Sequence, residues 1–411
     1  MAGGRPPRSA PATSPIDRGN GEHMSGNRFA RRRGRIRLGM VGGGEGAFIG
    51  AVHRIAARLD DRYDLVAGAF SSDAGRAARS AELLGLDPTR SYTDFTGMAR
   101  SEASRADGIE AVSIVTPNHM HAPAIRAFLD AGIHVICDKP LTTTLAEALS
   151  LREAARVSGL VVALTHTYTG YPMLRQARAM VRNGDLGDIR IVQVEYAQDW
   201  LATKLEDGGN KQAEWRSDPA RSGAGGSIGD VGTHAFNLAG FVTGLEPDAL
   251  CAELTTFVAG RRLDDNAQIM LRYENGARGS LWCSQVAIGN ENEVSLRVYG
   301  AKGSLEWTQR DANQLVWSSL DQNRQIITRN GAGADESNRR ASRVPAGHPE
   351  GYLEAFATLY REVAEAIVAM RQDRSLAPET LFPTVDDGVK GLAFIDAAIR
   401  SSIAGGVWTR L

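Results

Sequence analysis

Between Arg35 and His53 the chain reads RIRLGMVGGGEGAFIGAVH. An apolar run from Ile36 to Val41 meets a glycine cluster, and a helical pattern begins near Ile49. Glycine lets a backbone turn sharply and come close to a bulky anion. The free N–H groups and positive dipole end of the following helix favour a phosphate at the same place. Strand, glycine turn and helix in that order are the fingerprint of a dinucleotide-binding βαβ unit. The usual spacing is G-x-G-x-x-G, but here Gly42 and Gly44 are followed by Gly46 and Gly50. Gly42, Gly44 and Gly50 are read as the structural glycines, in a turn three residues longer than standard. The same stretch also fits a flexible loop without a ligand.

Beyond the turn, strand and helix patterns alternate. Helical patterns are expected over 51–59, 74–84, 96–103, 121–131 and 145–158, and strands over 63–70, 109–115, 132–137 and 160–164. A short strand-like SYTDF lies at 91–95. Strands alternating with helices of this length indicate a doubly wound parallel sheet, a Rossmann α/β domain over 34–165. After about His166 the pattern changes. Strands are expected over 189–196, 249–258, 265–273, 277–284, 293–299 and 303–307, several joined by hairpin-like turns such as Glu274-Asn275-Gly276. This gives a second, α+β domain over 166–411 with a large, mostly antiparallel open sheet. A polar loop is expected over 330–349 and helices over 352–372 and 385–403.

Composition narrows the function. The 411 residues carry a formal net charge of −1, which argues against a nucleic-acid or membrane-surface role resting on bulk charge. Three separated cysteines make no C-x-x-C, so neither a disulfide framework nor a cysteine-built metal site is expected. No metal site is expected elsewhere. Residues 1–33 are rich in Gly, Pro, Ser and Arg and are expected to be disordered; Met24 is an alternative start. The Arg31–Arg33 run suggests an export signal, but the apolar stretch behind it is the first strand of the fold. A cytoplasmic protein is expected.

Three constellations could carry chemistry. Thr116-Pro117-Asn118 and Cys137-Asp138-Lys139-Pro140 follow expected strand ends, where doubly wound folds bind ligands. A proline turn and a surface lysine are their bland readings. The third is Gly223 to Asn237, a glycine run leading into a helix with Asp230 and His234 four apart, on one face. A carboxylate beside an imidazole stabilises its protonated form, as a general base requires. A helix-terminal Asp and a core His remain the alternative. The expected cofactor-binding set is Gly42, Gly44, Phe48, Ile49, Ser71, Ser72, Thr116, Pro117, Asn118, His121, Asp138 and Lys139. Ser71, Ser72 and then Asp73, with Arg76 and Arg79 further along, give a mixed signal; the lack of an immediate arginine favours NAD, with NADP as the alternative.

Together, the glycine turn, Asp138-Lys139-Pro140 in place of an E-K-P triplet, D-x-x-x-H and the final PTVDDGVKGLAFIDAAIRSS resemble the Gfo/Idh/MocA oxidoreductases. The resemblance runs from about Arg35 to Leu411 and is nearest the levoglucosan and scyllo-inositol dehydrogenase branch. It implies an NAD(P)-dependent dehydrogenase acting on a secondary hydroxyl of a sugar, anhydrosugar or inositol. Lys139 would be the catalytic lysine, joined to Pro140 by a cis peptide, and His234 the base with Asp230 as its partner. Gln198, Trp215, Arg216 and His348 would join Lys139, Asp230 and His234 at the substrate, His348 from this chain or a neighbouring one. Asn237 stands where many relatives carry aspartate. A homo-oligomer, dimer or tetramer, paired through the open sheet face is also implied. Two rival readings remain: a non-catalytic dinucleotide sensor, and a transhydrogenating oxidoreductase with tightly bound NADP.

Overall fold

The buried run Ala111–Val115 (β3), with every residue inside, sits at the centre of the first sheet, as a strand covered on both faces must. The computed structural model describes Met1, residues 34–375 and 380–411. The expected N-terminal tail therefore lies outside the described residues. Arg35–Leu411 form one compact unit that holds both sheets.

In chain order the first part comprises β1 (Ile36–Gly42), α1 (Phe48–Leu59), β2 (Tyr63–Ala69), α2 (Ala74–Leu83) and α3 (Phe95–Ala103). After β3 come α4 (His121–Asp130), β4 (His134–Cys137), α5 (Leu145–Ser158) and β5 (Val162–Leu164). The five strands lie in the order β2-β1-β3-β4-β5, all parallel. The order reverses beside β1, so the carboxyl ends of β1 and β3 flank the crevice where such sheets bind ligands. SYTDF contributes only an isolated bridge from Ser91 to Gly68, because Asp94 caps α3 instead of extending a strand.

The second sheet has nine strands: β6 (Ile189–Ala197), β7 (Pro247–Thr255), β8 (Asn266–Tyr273), β9 (Arg278–Ser284), β10 (Glu293–Gly300), β11 (Gly303–Thr308), β12 (Gln314–Ser319), β13 (Gln325–Thr328) and β14 (Thr409–Arg410). All neighbouring pairs are antiparallel except β6 with β9. Along β8 burial alternates residue by residue, with Ala267, Ile269, Leu271 and Tyr273 inside and Gln268, Met270 and Arg272 outside. One face is therefore covered and the other open. The covered side carries α6 (Pro172–Arg182), α9 (Thr233–Thr243) and α12 (Val385–Ile403), while α7 (Lys211–Arg216) and α8 (Pro219–Ser222) lie on the connection out of β6. α10 (Glu336–Ala341) forms within the segment expected to be loop, capped by Asp335. α11 (Tyr352–Arg371) packs on α1, with Tyr63 donating to the Tyr360 carbonyl at 2.8 Å. No helix among the described residues is long and apolar enough to cross a membrane.

Candidate active site

The nucleotide side of the crevice is largely backbone. Gly42 and Gly43 have φ of +78° and +68°, a region that favours glycine. The tight contact is between Gly43 and Gly50: a Cβ on Gly50 would lie 2.4 Å from the Gly43 Cα. Gly43 was not among the expected structural glycines, although the GGG run contains it. Gly44 is crowded too, with Ser80 Oγ 2.8 Å from any Cβ it carried. α1 begins with Ala47 as its cap residue, which offers no side-chain acceptor, and has no acid in its first turn. Its first N–H groups are thus left for an anion, and the cradle fits a dinucleotide pyrophosphate. Phe48 at this end is exposed and Ile49 half-buried.

Other expected cofactor residues divide by what they touch. Ser71 Oγ accepts from the Asp73 N–H at 3.1 Å, Ser72 is exposed, and Asp73 caps α2 through the Arg76 N–H at 2.7 Å. Thr116 Oγ1 is buried with no hydrogen-bond partner among the described residues. Pro117 caps the short 3₁₀ turn Asn118–Met120, and Asn118 donates to the Ser222 carbonyl at 2.9 Å, tying the first sheet's loop to α8. His121 differs from expectation. Its ring has 0% exposure, with Nδ1 2.8 Å from the Pro140 carbonyl and Nε2 3.0 Å from the Thr116 carbonyl. It staples two loops together from inside the fold, and burial lowers its pKa. Asp138 also faces inward, accepting from Thr165 Oγ1 at 2.6 Å and meeting His53 Nε2 at 2.9 Å.

The next residue, Lys139, reaches the second sheet's side of the crevice. Its peptide with Pro140 is cis. Nζ donates to Asp230 Oδ1 at 2.6 Å and to the Asp230 carbonyl at 2.5 Å. Asp230 sits in a π-helical turn, Ile228–Gly232, whose wider loop closes with the Thr233 N–H on the Ile228 carbonyl. Such turns are rare and frequently lie at functional sites. Asp264 holds this turn in place, accepting from the Gly226 N–H at 2.6 Å, Ser227 Oγ at 2.6 Å and the Ile228 N–H at 2.8 Å.

Asp230 does not serve His234 as expected. The four-residue rule assumes α-helical geometry, and the turn is not α. Its second oxygen instead accepts from Gln285 Nε2 at 2.8 Å and faces Arg216 Nε at 3.4 Å. Burial pushes its carboxyl up, but the charges of Lys139 and Arg216 outweigh that and bring it to about 2. His234 opens α9 and is buried among rings: His166 and Tyr168 at 5.3 Å, Tyr196 at 6.0 Å. Burial first, then Lys139 and His166, holds its pKa well below the usual 6.5, so the ring is neutral. Burial and Lys139 bring His166 down to about 3.

Buried polar atoms without partners among the described residues gather here: His234 Nδ1, His166 Nδ1 and Gln198 Oε1, with Thr116 Oγ1 across the crevice. Interiors rarely leave such groups unpaired, so their concentration points to a polar ligand. Gln198 donates to Asn292 Oδ1 at 2.5 Å, and Tyr196 donates to the same oxygen at 2.9 Å. Trp215 stacks under the Arg216 guanidinium at 4.2 Å, and Arg216 reaches Asp230. The His348 side chain is exposed, and no contact among the described residues joins it to Lys139, Asp230 or His234 in the same chain. Asn237 lines a different cavity, of about 430 Å³, with Arg178, Phe236 and Phe241. Sequence reasoning missed Gln285, His166 and Asn292. His166 stands just past an expected strand end, which is a usable signal; the other two carry none.

Residues 36–166 match the model of the oxidoreductase family with an NAD-binding Rossmann fold, and 174–306 match the Gfo/Idh/MocA C-terminal domain. The chain belongs to the Gfo/Idh/MocA family. It is 54% identical to an oxidoreductase from Sinorhizobium meliloti, covering 92% of this chain and 99% of that one, with a TM-score of 0.83. An inositol dehydrogenase homologue from Azotobacter vinelandii, solved with NAD+, is 39% identical over 92% of this chain and 98% of its own, with a TM-score of 0.90. Levoglucosan dehydrogenase of Pseudarthrobacter phenanthrenivorans is 28% identical over 91% of this chain and 97% of its own. As a Gfo/Idh/MocA protein the chain is an oxidoreductase, and its parallel sheet is an NAD-binding Rossmann fold.

Proposed function

We propose that this Gfo/Idh/MocA protein is an NAD-dependent dehydrogenase that oxidises a secondary hydroxyl of an inositol, sugar or anhydrosugar. The observation that carries the reading is the Lys139–Asp230 pair beside neutral His234, amid buried polar atoms without partners. It is supported by the relatives above, one described as an inositol dehydrogenase homologue and one as acting on levoglucosan.

Bound NAD supplies the acceptor for the hydride that leaves the carbinol carbon. Lys139 spends two of its three N–H donors on Asp230, which fixes the ammonium and leaves one for the substrate oxygen. That charge-assisted bond strengthens as negative charge develops on the oxygen. His234, neutral at working pH, takes the hydroxyl proton as the C–H bond breaks, leaving a carbonyl. Asp230, ionised and held by Gln285 and Arg216, keeps the lysine aimed. Arg216, Trp215 and Gln198 contact the remaining hydroxyls, and His348 reaches the pocket of a neighbouring copy. The open face of the large sheet, with Ile191 and Met270 exposed, pairs the copies.

The test is the appearance of reduced-nicotinamide absorbance with NAD or NADP and a panel of inositols, hexoses and levoglucosan. Reduction of NAD by one polyol, abolished in Lys139→Ala and His234→Ala, is the expected outcome. NAD binding without turnover across the panel would sink the reading.

A further inference from the structure

Behind the loop that carries Lys139 lies a buried polar cluster that the chemistry above leaves unused. His53, on α1, has 0% exposure. Its Nε2 is 2.9 Å from Asp138 Oδ1, and its Nδ1 is 2.8 Å from Tyr360 OH and 3.0 Å from Ser113 Oγ. Ser113 Oγ and Tyr360 OH are 2.8 Å apart, and Thr165 Oγ1 donates to the same Asp138 oxygen at 2.6 Å. Phe356 closes over the imidazole at 5.0 Å.

The contact that matters for Lys139 has one direction. Burial pushes the Asp138 carboxyl up, but His53 and Thr165 more than reverse this, so it is ionised and can only accept. Nε2 therefore donates to Asp138, while Nδ1, the Tyr360 hydroxyl and Ser113 Oγ bond to one another in a closed triangle. A fully connected buried network of this kind rigidifies what it touches. It joins α1, β3, α11 and the ends of β4 and β5, and its carboxylate is one peptide from Lys139.

We propose that His53 is a positioning residue for Lys139: by orienting Asp138 it holds the peptide from which the ammonium reaches Asp230. The proposal rests on the catalytic role of Lys139. The helix whose first turn cradles the dinucleotide is thereby also the reference for the lysine. Its two duties lie at separate points, the cradle at Gly50 against Gly43 and the lysine at His53. Aspartate at 138 has the arm length for this inward contact.

The test compares His53→Ala and His53→Gln in the polyol assay, with NAD+ affinity followed by protein fluorescence. Misplacing a catalytic group by about 1 Å costs on the order of 100-fold, so His53→Ala is expected to lose kcat on that scale. Its KM and NAD+ affinity stay within about threefold, since Gly43 and Gly50 are untouched, and His53→Gln, whose amide can still donate to Asp138, recovers most of kcat. Parental kcat in His53→Ala overturns the proposal. So does a loss of kcat matched by lost NAD+ affinity, or a His53→Gln no better than alanine. Should His53→Ala not fold, Tyr360→Phe decides: a several-fold fall in kcat at parental NAD+ affinity supports the role, and parental kcat overturns it. Lys139→Ala run beside them separates the two readings. If it turns over, the proposed chemistry itself fails; if it is inert while His53→Ala is parental, only the role of His53 fails.

Discussion

The two sides of the crevice are built from different materials. Facing the dinucleotide are a glycine turn, an uncapped helix end and loop backbone, all within 42–50 and at neighbouring strand ends. On the proposed substrate side are side chains from distant points: Lys139 after β4, His166 after β5, Arg216 on α7, Asp230 in a π turn, His234 on α9 and Gln285 after β9. Backbone recognition tolerates change in every side chain that does not collide with it. Side-chain recognition depends on several long-range placements at once, each held by its own supports, as Asp264 holds the π turn. One side is set by local geometry, the other by convergence.

The sharpest way to break this contrast is Lys139→Ala or His234→Ala. Each should cost about 10³-fold in kcat while NAD+ affinity is kept. A loss expressed in NAD+ binding would place these residues on the nucleotide side. The reciprocal change is Gly50→Ala. Its Cβ would sit 2.4 Å from Gly43 Cα, so helix and turn must part, at a cost of about 2 kcal/mol in unfolding free energy and lower NAD+ affinity. Thermal melting with and without NAD+ measures both, and a parental melt with parental affinity would show that the turn is not packed this tightly.

Acid should act on both sides. His166 and His134 are lowered to about 3 and about 4, mainly by burial, and His121 and His234 are also lowered. Each is neutral when folded and charged when unfolded once the pH drops below its ordinary 6.5. The unfolded chain then binds more protons, so stability falls as pH drops from 6.5 towards the folded pKa values. Each group contributes about 1.4 kcal/mol per pH unit. His166→Gln should flatten the dependence of chemical-denaturation stability between pH 6 and pH 4.5 (about one histidine's share); an unchanged slope would mean that His166 is not buried neutral. The smallest expected effect is Gln285→Ala. It removes one neutral donor from the Asp230 carboxylate and should lower kcat by about tenfold, near the energy of one hydrogen bond to a charge. Unchanged kcat would mean that Lys139 and Arg216 alone hold Asp230.

How much was legible follows the same division. The run IEAVSIV reads as a buried parallel strand and is one over Ala111–Val115. The glycine turn reads as a phosphate cradle because strand, turn and helix are consecutive. Gly43 escaped because its contact is with Gly50, across the turn, where spacing gives no hint. Asp230 and His234 were both recognised, yet their expected pairing failed, since an i, i+4 rule cannot foresee a π turn. His121 and Asp138 are expected as cofactor contacts, yet their side chains lie inward, because a strand-end position does not tell which way a side chain points.

By itself the sequence determined the order of elements, the parallel sheet and the glycine turn, and it singled out the lysine, carboxylate and histidine proposed to act. These rest on periodicity and on residues adjacent in the chain, where bond geometry transmits the information. Tertiary structure alone decided that Asp230 pairs with Lys139, that His166 and Gln285 enter the site, and that His53 stands behind Asp138. Each of those contacts joins residues tens of positions apart, and their meeting is set by how sheets and helices pack rather than by any local pattern.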